Sequence, residues 1–584
     1  MHPEYKKRLE ARREAAARHT KAFQTIGNWR LAVVVAGAVL AWLNFWLLPL
    51  AVTVFVALIV YHEKVVRSLA GETRAIAYYE RGIARLEDRW AGAGETGERF
   101  RDPAHPYADD LDLFGKGSLF QLLSAARTGA GEAMLANWLM TPADAATAAG
   151  RQVAIDDLRT RIDLREDLAL LGDDIRAEVH PEALARWGSA PPVPLPAGVR
   201  WIALAMAAIT VVLVGGYFLQ AWTYRPVVLF LVIQSGFGIW LRQRVIHILG
   251  SVEAPARDLQ LLGELLRRLE REPFTAPRLL ALRAELETEG MPPSRQIHLL
   301  HKLIERQDAS RNQGFALFAR LVLWSTQCAI AIEEWRQRSG PRIGRWLAAV
   351  AEMEALSSLA GYAAEHPGDP FPEFSEDAPL FDGEGIAHPL LPVQTGVRND
   401  IRLDAEMRLL LVSGSNMSGK STMLRAVGLN TVLAWAGAPV RAKRLRLSPL
   451  VIGASMRVQD SLQDGKSRFY AEITRLRQVV DVGAGSTPLL FLLDELLSGT
   501  NSHDRRIGAE AIVTSLVRRG NVGLVTTHDL ALSHITESLA PQALNVHFED
   551  HLEGGRIAFD YLMRPGVVRK SNALELMRSV GLDV

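Results

Sequence analysis

The residues able to do chemistry lie in the last third of the chain. Gly414-Ser-Asn-Met-Ser-Gly-Lys-Ser421 fits the pattern G-x-x-x-x-G-K-[ST], whose glycines let backbone N–H groups curl around phosphate oxygens at the start of a helix. In such a loop Lys420 reaches the β- and γ-phosphates and Ser421 sets a hydroxyl on Mg2+, while Gly414, Ser415, Asn416, Met417, Ser418, Gly419 and Thr422 complete the cradle. A glycine-rich turn without a ligand has the same letters. The flanks decide for the loop, because the apolar run Leu409 to Val412 precedes it as a strand and helical sequence follows from Ser421 to about Leu433.

Two more apolar runs end in reactive groups. Leu489 to Leu493 leads into Asp494-Glu495, the place at which a parallel sheet presents side chains to a ligand. Asp494 is suited to hold Mg2+ through water, and Glu495 to polarise the attacking water. Val522 to Val525 leads into Thr526-Thr-His528, which adds an imidazole able to sense the γ-phosphate. Adjacent carboxylates are often only solvated charge, and a lone histidine says little. Three strand ends that deliver lysine, carboxylates and histidine together predict nucleotide hydrolysis with Glu495, His528 and Lys420 as catalytic groups and Ser421 and Asp494 on the metal.

These residues resemble those of the MutS family of ATP-binding-cassette ATPases. The resemblance rests on the phosphate loop with Asn416-Met417 inside it, on Asp494-Glu495 followed by Ser498-Gly-Thr-Asn501, and on Asp460-Ser-Leu-Gln-Asp-Gly-Lys-Ser-Arg-Phe-Tyr-Ala-Glu472 between them. The last segment is similar to the family's signature, which reaches across a dimer. The resemblance implies that Ser467 touches the γ-phosphate in trans, with Phe469 and Glu472 beside it. His388-Pro389 and Asn399-Asp400 resemble the first strands of the same domain, and Lys570-Ser571, Leu574 and Gly581 its dimerising helices. More loosely, Leu111 to Leu158 resembles the start of the family's helical lever and Trp346 to Ala360 its end. The departures are equally specific. Ser415 and Ser418 replace the usual Pro and Gly, and Arg468 a usual Thr. No aromatic stands near Gly396 to Arg398 to stack on adenine. A basic helix and apolar runs occupy the place of the family's N-terminal mismatch reader, and Phe371-Pro-Glu373 only coincides with the letters of its wedge.

The elements that must position this site belong to a long chain. Its 584 residues suggest three or four structural units. Lys plus Arg number 66 against 65 Asp plus Glu, so attraction to nucleic acid or anionic lipid has to be local. A single cysteine, Cys328, excludes a disulfide framework and a cysteine zinc site. Leu31 to Tyr61 carries no charge, nor does Trp201 to Tyr224, nor Pro226 to Leu241. A span needs about 20 helical residues, and both flanks of the first run are rich in Lys and Arg, which marks them as cytoplasmic. Two hairpins are therefore expected, turning near Asn44 to Pro49 and near Gln220 to Arg225, with snorkelling end residues lengthening the spans. A signal peptide competes for the first run and a buried hairpin of a soluble core for the second.

Helical periodicity covers Val65 to Trp90, Leu111 to Leu139, Ala145 to about Ala185, Ala256 to Leu286 and Gln296 to Ala364, and a Pro- and Gly-rich linker follows at His366 to Pro372. The expected fold is an α/β C-terminal ATPase domain of the ATP-binding-cassette type with an all-α lever-like domain and two transmembrane helical hairpins. The expected boundaries are 1–28 (basic cytoplasmic segment), 29–63 (first hairpin), 64–200 (start of the lever), 201–242 (second hairpin), 243–370 (end of the lever) and 371–584 (ATPase with dimerisation helices). By resemblance, the function is a membrane-anchored ATPase that couples ATP and Mg2+ to mismatched, branched or recombining DNA. It is expected to act as a homodimer in a bacterial inner membrane, with the ATPase in the cytoplasm and membrane lipid as a partner, and without a metal cluster. The alternative is an ATP-driven membrane device or envelope-signalling ATPase not acting on DNA; the uncharged spans speak against a transport path. Basic clusters at Arg441, Lys443, Arg444 and Arg446, and at Lys302, Arg306 and Arg311, are the local candidates for DNA phosphates.

Overall fold

The structure is a computed structural model that describes every residue except 45, 47, 179, 288–289, 311–312, 416, 457–467, 498–499, 554–555 and 569–584. In chain order the helical part comprises α1 (His2–Leu43), α2 (Leu48–Leu86), α3 (Leu119–Leu123), α4 (Gly129–Met140), α5 (Ala145–Arg159), α6 (Ile162–Glu178), α7 (Pro181–Ser189), α8 (Val199–Phe218), α9 (Tyr224–Glu270), α10 (Pro277–Leu286), α11 (Pro293–Ala309), α12 (Gln313–Leu321), α13 (Trp324–Ser339) and α14 (Ile343–Glu365). The α/β part follows with β1 (Glu373–Phe374), β2 (Phe381–Ile386), β3 (Asn399–Leu403), β4 (Leu409–Ser413), α15 (Lys420–Ala436), β5 (Arg444–Leu447), β6 (Val451–Ser455) and α16 (Arg468–Val482). It ends with β7 (Leu489–Asp494), α17 (Ser502–Arg518), β8 (Val522–Thr527), α18 (Ile535–Ser538), β9 (Ala543–Glu553) and β10 (Arg556–Pro565).

The chain forms two compact units that do not follow chain order. One holds Met1–Ala125, Ala133–Ile162 and Ala355–Val584, and the other Ala126–Glu132 with Asp163–Glu354. The first hairpin therefore falls in the unit that holds the α/β domain, and the second in the unit that holds α7 to α13.

In the first unit, six strands in the order β10-β9-β4-β8-β7-β6 make the central sheet, parallel except for the β9–β10 hairpin. β4, β7 and β8 are almost wholly buried, which is why their sequences are continuous apolar runs rather than alternating ones. α15 is buried nearly all round, as an apolar helix packed against such a sheet must be. A second sheet has the strand order β1-β5-β2-β3. α1 and α2 run antiparallel: the Phe23 ring packs tilted against His62 at 4.9 Å, and Tyr5 packs at 5.7 Å from Tyr79. Their base is tied to the end of α14, because Arg85 donates twice to Glu365 (2.7 and 2.6 Å) and the Tyr5 hydroxyl donates to the same carboxylate at 3.2 Å.

In the second unit, Thr210 of α8 donates to the Gln234 side-chain oxygen of α9, and Gln234 Nε2 donates to the Leu321 carbonyl at 2.8 Å. The Glu354 carboxylate accepts from the backbone N–H groups of Arg127 (3.0 Å) and Thr128 (3.2 Å), so it caps the chain just ahead of α4.

Several expectations change. The periodic stretch Leu111 to Leu139 is not one helix. Asp112, Gly115 and Gly117 have φ of 54°, 106° and 75°, which holds 111–118 as turns until Ser118 caps α3 by accepting from Gln121 N–H. α2 is continuous from the first apolar run to Leu86, and α9 from the second hairpin through Pro255 to Glu270. α1, α2, α8 and α9 are long and apolar enough to cross a membrane. Between 6 and 22% of their most apolar windows is buried, so the second pair is not a hairpin enclosed in a soluble core.

Candidate nucleotide-binding site

Parallel pairing brings the three reactive strand ends level. Ser413 of β4 stands opposite Thr527 of β8, and Asp494 of β7 opposite Thr526. Beyond β4 the chain turns through Gly414 at φ 151° and Gly419 at φ 104°. A Cβ on Gly414 would lie 2.8 Å from Ser418 Oγ and 3.1 Å from the Phe548 carbonyl, and one on Gly419 would lie 3.0 Å from the Tyr561 ring. Only glycine keeps the loop this close to its surroundings while leaving its amides free to curl. Met417 is also left-handed, at φ 68°, and its side chain is exposed.

Lys420 is the first residue of α15 and is buried. Its ammonium donates to the carbonyls of Gly414 (2.9 Å) and Ser415 (2.8 Å), which braces the loop from within. Burial lowers its pKa, and the Glu495 and Asp494 carboxylates oppose that shift. Ser415 Oγ and Ser418 Oγ are buried in the loop, with no hydrogen-bond partner among the described residues. A backbone cradle, an inward lysine and spare hydroxyls form a donor set that fits a phosphate chain. Lys420, Ser421, Thr422 and Glu495 line one cavity of about 480 Å³, a size suited to a nucleotide.

At the carboxylate strand the sequence reading missed Thr526. Its hydroxyl donates to Asp494 and accepts from the Glu495 N–H at 3.1 Å, so one side chain fixes both acids. Glu495 has φ 50°, and its carboxylate stands 3.5 Å from His528 Nδ1. The three strand ends are thus brought together as predicted. Glu472 is buried and accepts from the Leu497 N–H, which ties α16 to the turn after Glu495. Asn416, Ser467, Ser498, Gly499 and most of the signature segment lie outside the described residues, as do Lys570, Ser571, Leu574 and Gly581.

The other end of the cavity is built from distant residues. Ala387 and His388 after β2, Gly396 and Asn399 before and in β3, and Tyr561 of β10 all line it. Sequence alone put no aromatic there. Between the pairs Phe559–Asp550 and Met563–Phe548, β10 has three residues where β9 has one; in this bulge Tyr561 takes φ 57°. Bulges re-aim side chains. Asn399 clamps this one, with Nδ2 donating to the Tyr561 carbonyl (3.0 Å) and Oδ1 accepting from Met563 N–H (2.7 Å). The signal available in the sequence was Asn399, a polar residue at a strand start, but its partner is more than 160 residues away. His388 Nδ1 accepts from the Leu390 N–H at 3.2 Å, and burial, aided by the Arg425 charge, pushes its pKa down to about 4.

A brace holds the two helices of the site. The buried Asp110 carboxylate accepts from Arg475 of α16 (2.6 Å) and from the Met456 N–H (2.7 Å), and the Asp110 carbonyl accepts from Arg425 of α15 (3.0 Å). Both flanks of 457–467 are thereby referred to the phosphate-loop helix.

The basic cluster after α15 is less available than its letters suggest. Arg441 pairs with Asp369 in the interior at 2.9 Å, and Arg444 with Glu373, Arg446 with Asp377 and Lys443 with Glu384 at 3.0, 3.3 and 3.9 Å. Glu373, the acid of the coincidental wedge motif, is thus a surface ion-pair partner.

Sheet order, phosphate loop and acid-bearing strand end define a P-loop nucleotide-binding domain. Residues 410–583 match the family model of MutS domain V. Similar proteins include DNA mismatch repair protein MutS 2 of Halobacterium salinarum, 32% identical over 266 residues, 43% of this chain and 29% of that protein. The DNA mismatch repair protein MutS of Thermotoga maritima is 34% identical over 236 residues, 40% of this chain and 29% of the relative. That of Natronomonas pharaonis is 33% identical over 251 residues, 41% and 28%. Through this region the chain is similar to MutS proteins over their domain V. The match spans less than a third of the length of these relatives.

Proposed function

We propose that this protein is a membrane-anchored, MutS-like ATPase that binds ATP with Mg2+ and couples its hydrolysis, as a homodimer, to DNA binding. The observation that carries the ATPase part is the Thr526 hydroxyl, which holds both Asp494 and Glu495 at the strand end while Glu495 shares a cavity with Lys420 and Ser421. When bound, the metal supplies charge neutralisation of the phosphates, and Ser421 and Asp494 are the residues that would hold it. Glu495 orients and polarises water, with His528 as its neighbour. Tyr561 offers a face for the base, and Ser467 of a second copy completes the phosphate end. Support for DNA comes from the names of the relatives, not from the paired basic cluster. The membrane part rests on four exposed apolar helices, and a bacterial inner membrane with the ATPase in the cytoplasm is the setting that fits their flanking charges.

A second reading, an ATP-driven membrane device, is favoured by one observation. The two hairpins belong to different units, so a movement between the units would act on the bilayer. One experiment separates the readings. Full-length protein in lipid vesicles is titrated with branched and mismatched duplex, with and without ATP, over a range of salt. The first reading expects binding that weakens as salt rises and changes with ATP. No binding above a matched linear duplex at low salt, with ATPase activity dependent on lipid, leaves the second.

A further inference from the structure

The two hairpins differ in how far their arms can reach. α8 has 20 residues, about 30 Å at 1.5 Å per residue and enough for one hydrocarbon core. Its tip carries a charge, Arg225, and the polar Gln220 and Thr223 among the exposed Phe218, Leu219 and Tyr224. α1 and α2 are longer helices, with 42 and 39 residues, but the uncharged arm of α1 is shorter. Its last charge before the turn is Arg30, and Leu31 to Leu43 gives an arm of only about 20 Å. The Arg30 guanidinium does not reach back to the polar level of Phe23 and His62; it lies over the Phe55 ring, 5.7 Å from its centroid. Trp29 and Tyr61 are exposed beside it, where an aromatic belt at the near interface belongs.

The tip is unsuited to water. Trp42 and Trp46 are 87 and 86% exposed, Leu43 and Leu50 more than 60%, and no charged residue stands between Arg30 and His62. Two backbone donors among the described residues of the turn are paired. Asn44 N–H donates to the Leu40 carbonyl at 2.7 Å, and Trp46 N–H to the Asn44 side-chain oxygen at 3.1 Å. Pro49, the second residue of α2, removes one donor that a helix start would otherwise leave unpaired. In water such economy is unnecessary, whereas in hydrocarbon each unpaired group costs several kcal/mol. For Trp42 and Trp46 to be a far-side belt, the bilayer would have to thin by about 10 Å, at a fraction of a kcal/mol for each ångström.

Resting on the membrane reading above, we propose that the first hairpin is re-entrant. It enters and leaves through the face on which the ATPase lies and keeps its tryptophan tip in the acyl-chain interior, while the second hairpin crosses completely. The occupant of its apolar surface is lipid hydrocarbon.

The test uses full-length protein in a Cys328→Ala background, with one cysteine at Trp46→Cys or at Ala221→Cys, reconstituted in phosphatidylglycerol–phosphatidylethanolamine vesicles. A membrane-impermeant maleimide is loaded on both faces by freeze–thaw, so orientation does not matter. Ala221→Cys is expected to react to completion, and Trp46→Cys only after detergent dissolves the bilayer. Reaction of Trp46→Cys before detergent overturns the proposal, as does protection of both positions alike. A nitroxide at Trp46→Cys provides a second readout: relaxation by oxygen is expected, and stronger relaxation by an aqueous nickel chelate overturns the re-entrant placement. Failure of the unsubstituted protein to float with vesicles refutes the membrane reading itself and is a distinguishable result.

Discussion

The phosphate end and the base end of the cavity are made in opposite ways. The phosphate end is local: eight consecutive residues, two glycines at φ 151° and 104°, and a lysine that bonds back to carbonyls five and six positions earlier. The base end gathers residues from β2, β3 and β10 and depends on a bulge and an asparagine clamp. A local constellation is written as a motif, because the residues that act are also the residues that shape the turn. An assembled one has no such signature, and its parts hold together only as well as the packing that joins them.

The sharpest break in the comparison is at the carboxylate strand. Glu495→Gln keeps the size of the side chain and removes the charge proposed to polarise water, so kcat should fall at least about a hundredfold while ATP still binds. Phosphate release and calorimetric titration on the same preparation check this. Lys420→Ala should do the opposite, since it removes the buried ammonium proposed to meet the phosphates, and affinity should be lost first. Unchanged hydrolysis in either variant refutes the role assigned to that residue.

Thr526→Val comes next. The substitution preserves shape and deletes the hydroxyl that serves Asp494 and the Glu495 N–H. Loss of a hydrogen bond to a charged group is worth about 1.5–3 kcal/mol, so kcat should drop roughly tenfold to a hundredfold with KM nearly constant. A rise in KM without a change in kcat would show that Thr526 merely supports binding.

At the base end the effects should be smaller. Tyr561→Ala removes a ring whose stacking is worth about 0.5–1.5 kcal/mol, so ATP affinity should fall about two- to tenfold, while inorganic triphosphate should bind as before. Tyr561→Phe should retain ATP affinity. Equal losses for ATP and triphosphate would place the effect at Gly419, which the ring touches, and not at the base.

The contrast in legibility extends through the molecule. β4, β7 and β8 were readable because burial on both faces forces continuous apolar runs, and both hairpin turns were readable from interruptions in hydropathy. Residues 111–118 were not, because apolar spacing survives in a chain that Gly115 and Gly117 fold into turns. The Asp110 brace was equally hidden, since its partners lie more than 300 residues away. Tyr561 escaped because an aromatic in a strand is ordinary, and only the pairing of β9 with β10 reveals the bulge that turns it toward Gly419.

The last effect concerns His388, which lines the base end, and is read in stability and not in turnover or affinity. Half-buried as a neutral imidazole with its Nδ1 accepting a backbone N–H, it has its pKa pushed down to about 4 from the ordinary 6.5. Below pH 6.5 the unfolded chain binds a proton that the folded chain refuses, so stability is complete above that pH and declines as pH falls toward 4. The full depression corresponds to about 3 kcal/mol, and about half should be lost by pH 5 to 5.5. Thermal melts of full-length protein and His388→Gln at pH 7 and pH 5 test the linkage. The substitution should flatten the difference in Tm between the two pH values, and triphosphate affinity should be untouched. An identical pH slope in both proteins would show that protons are taken up elsewhere, and that the base end is no more pH-sensitive than the phosphate end.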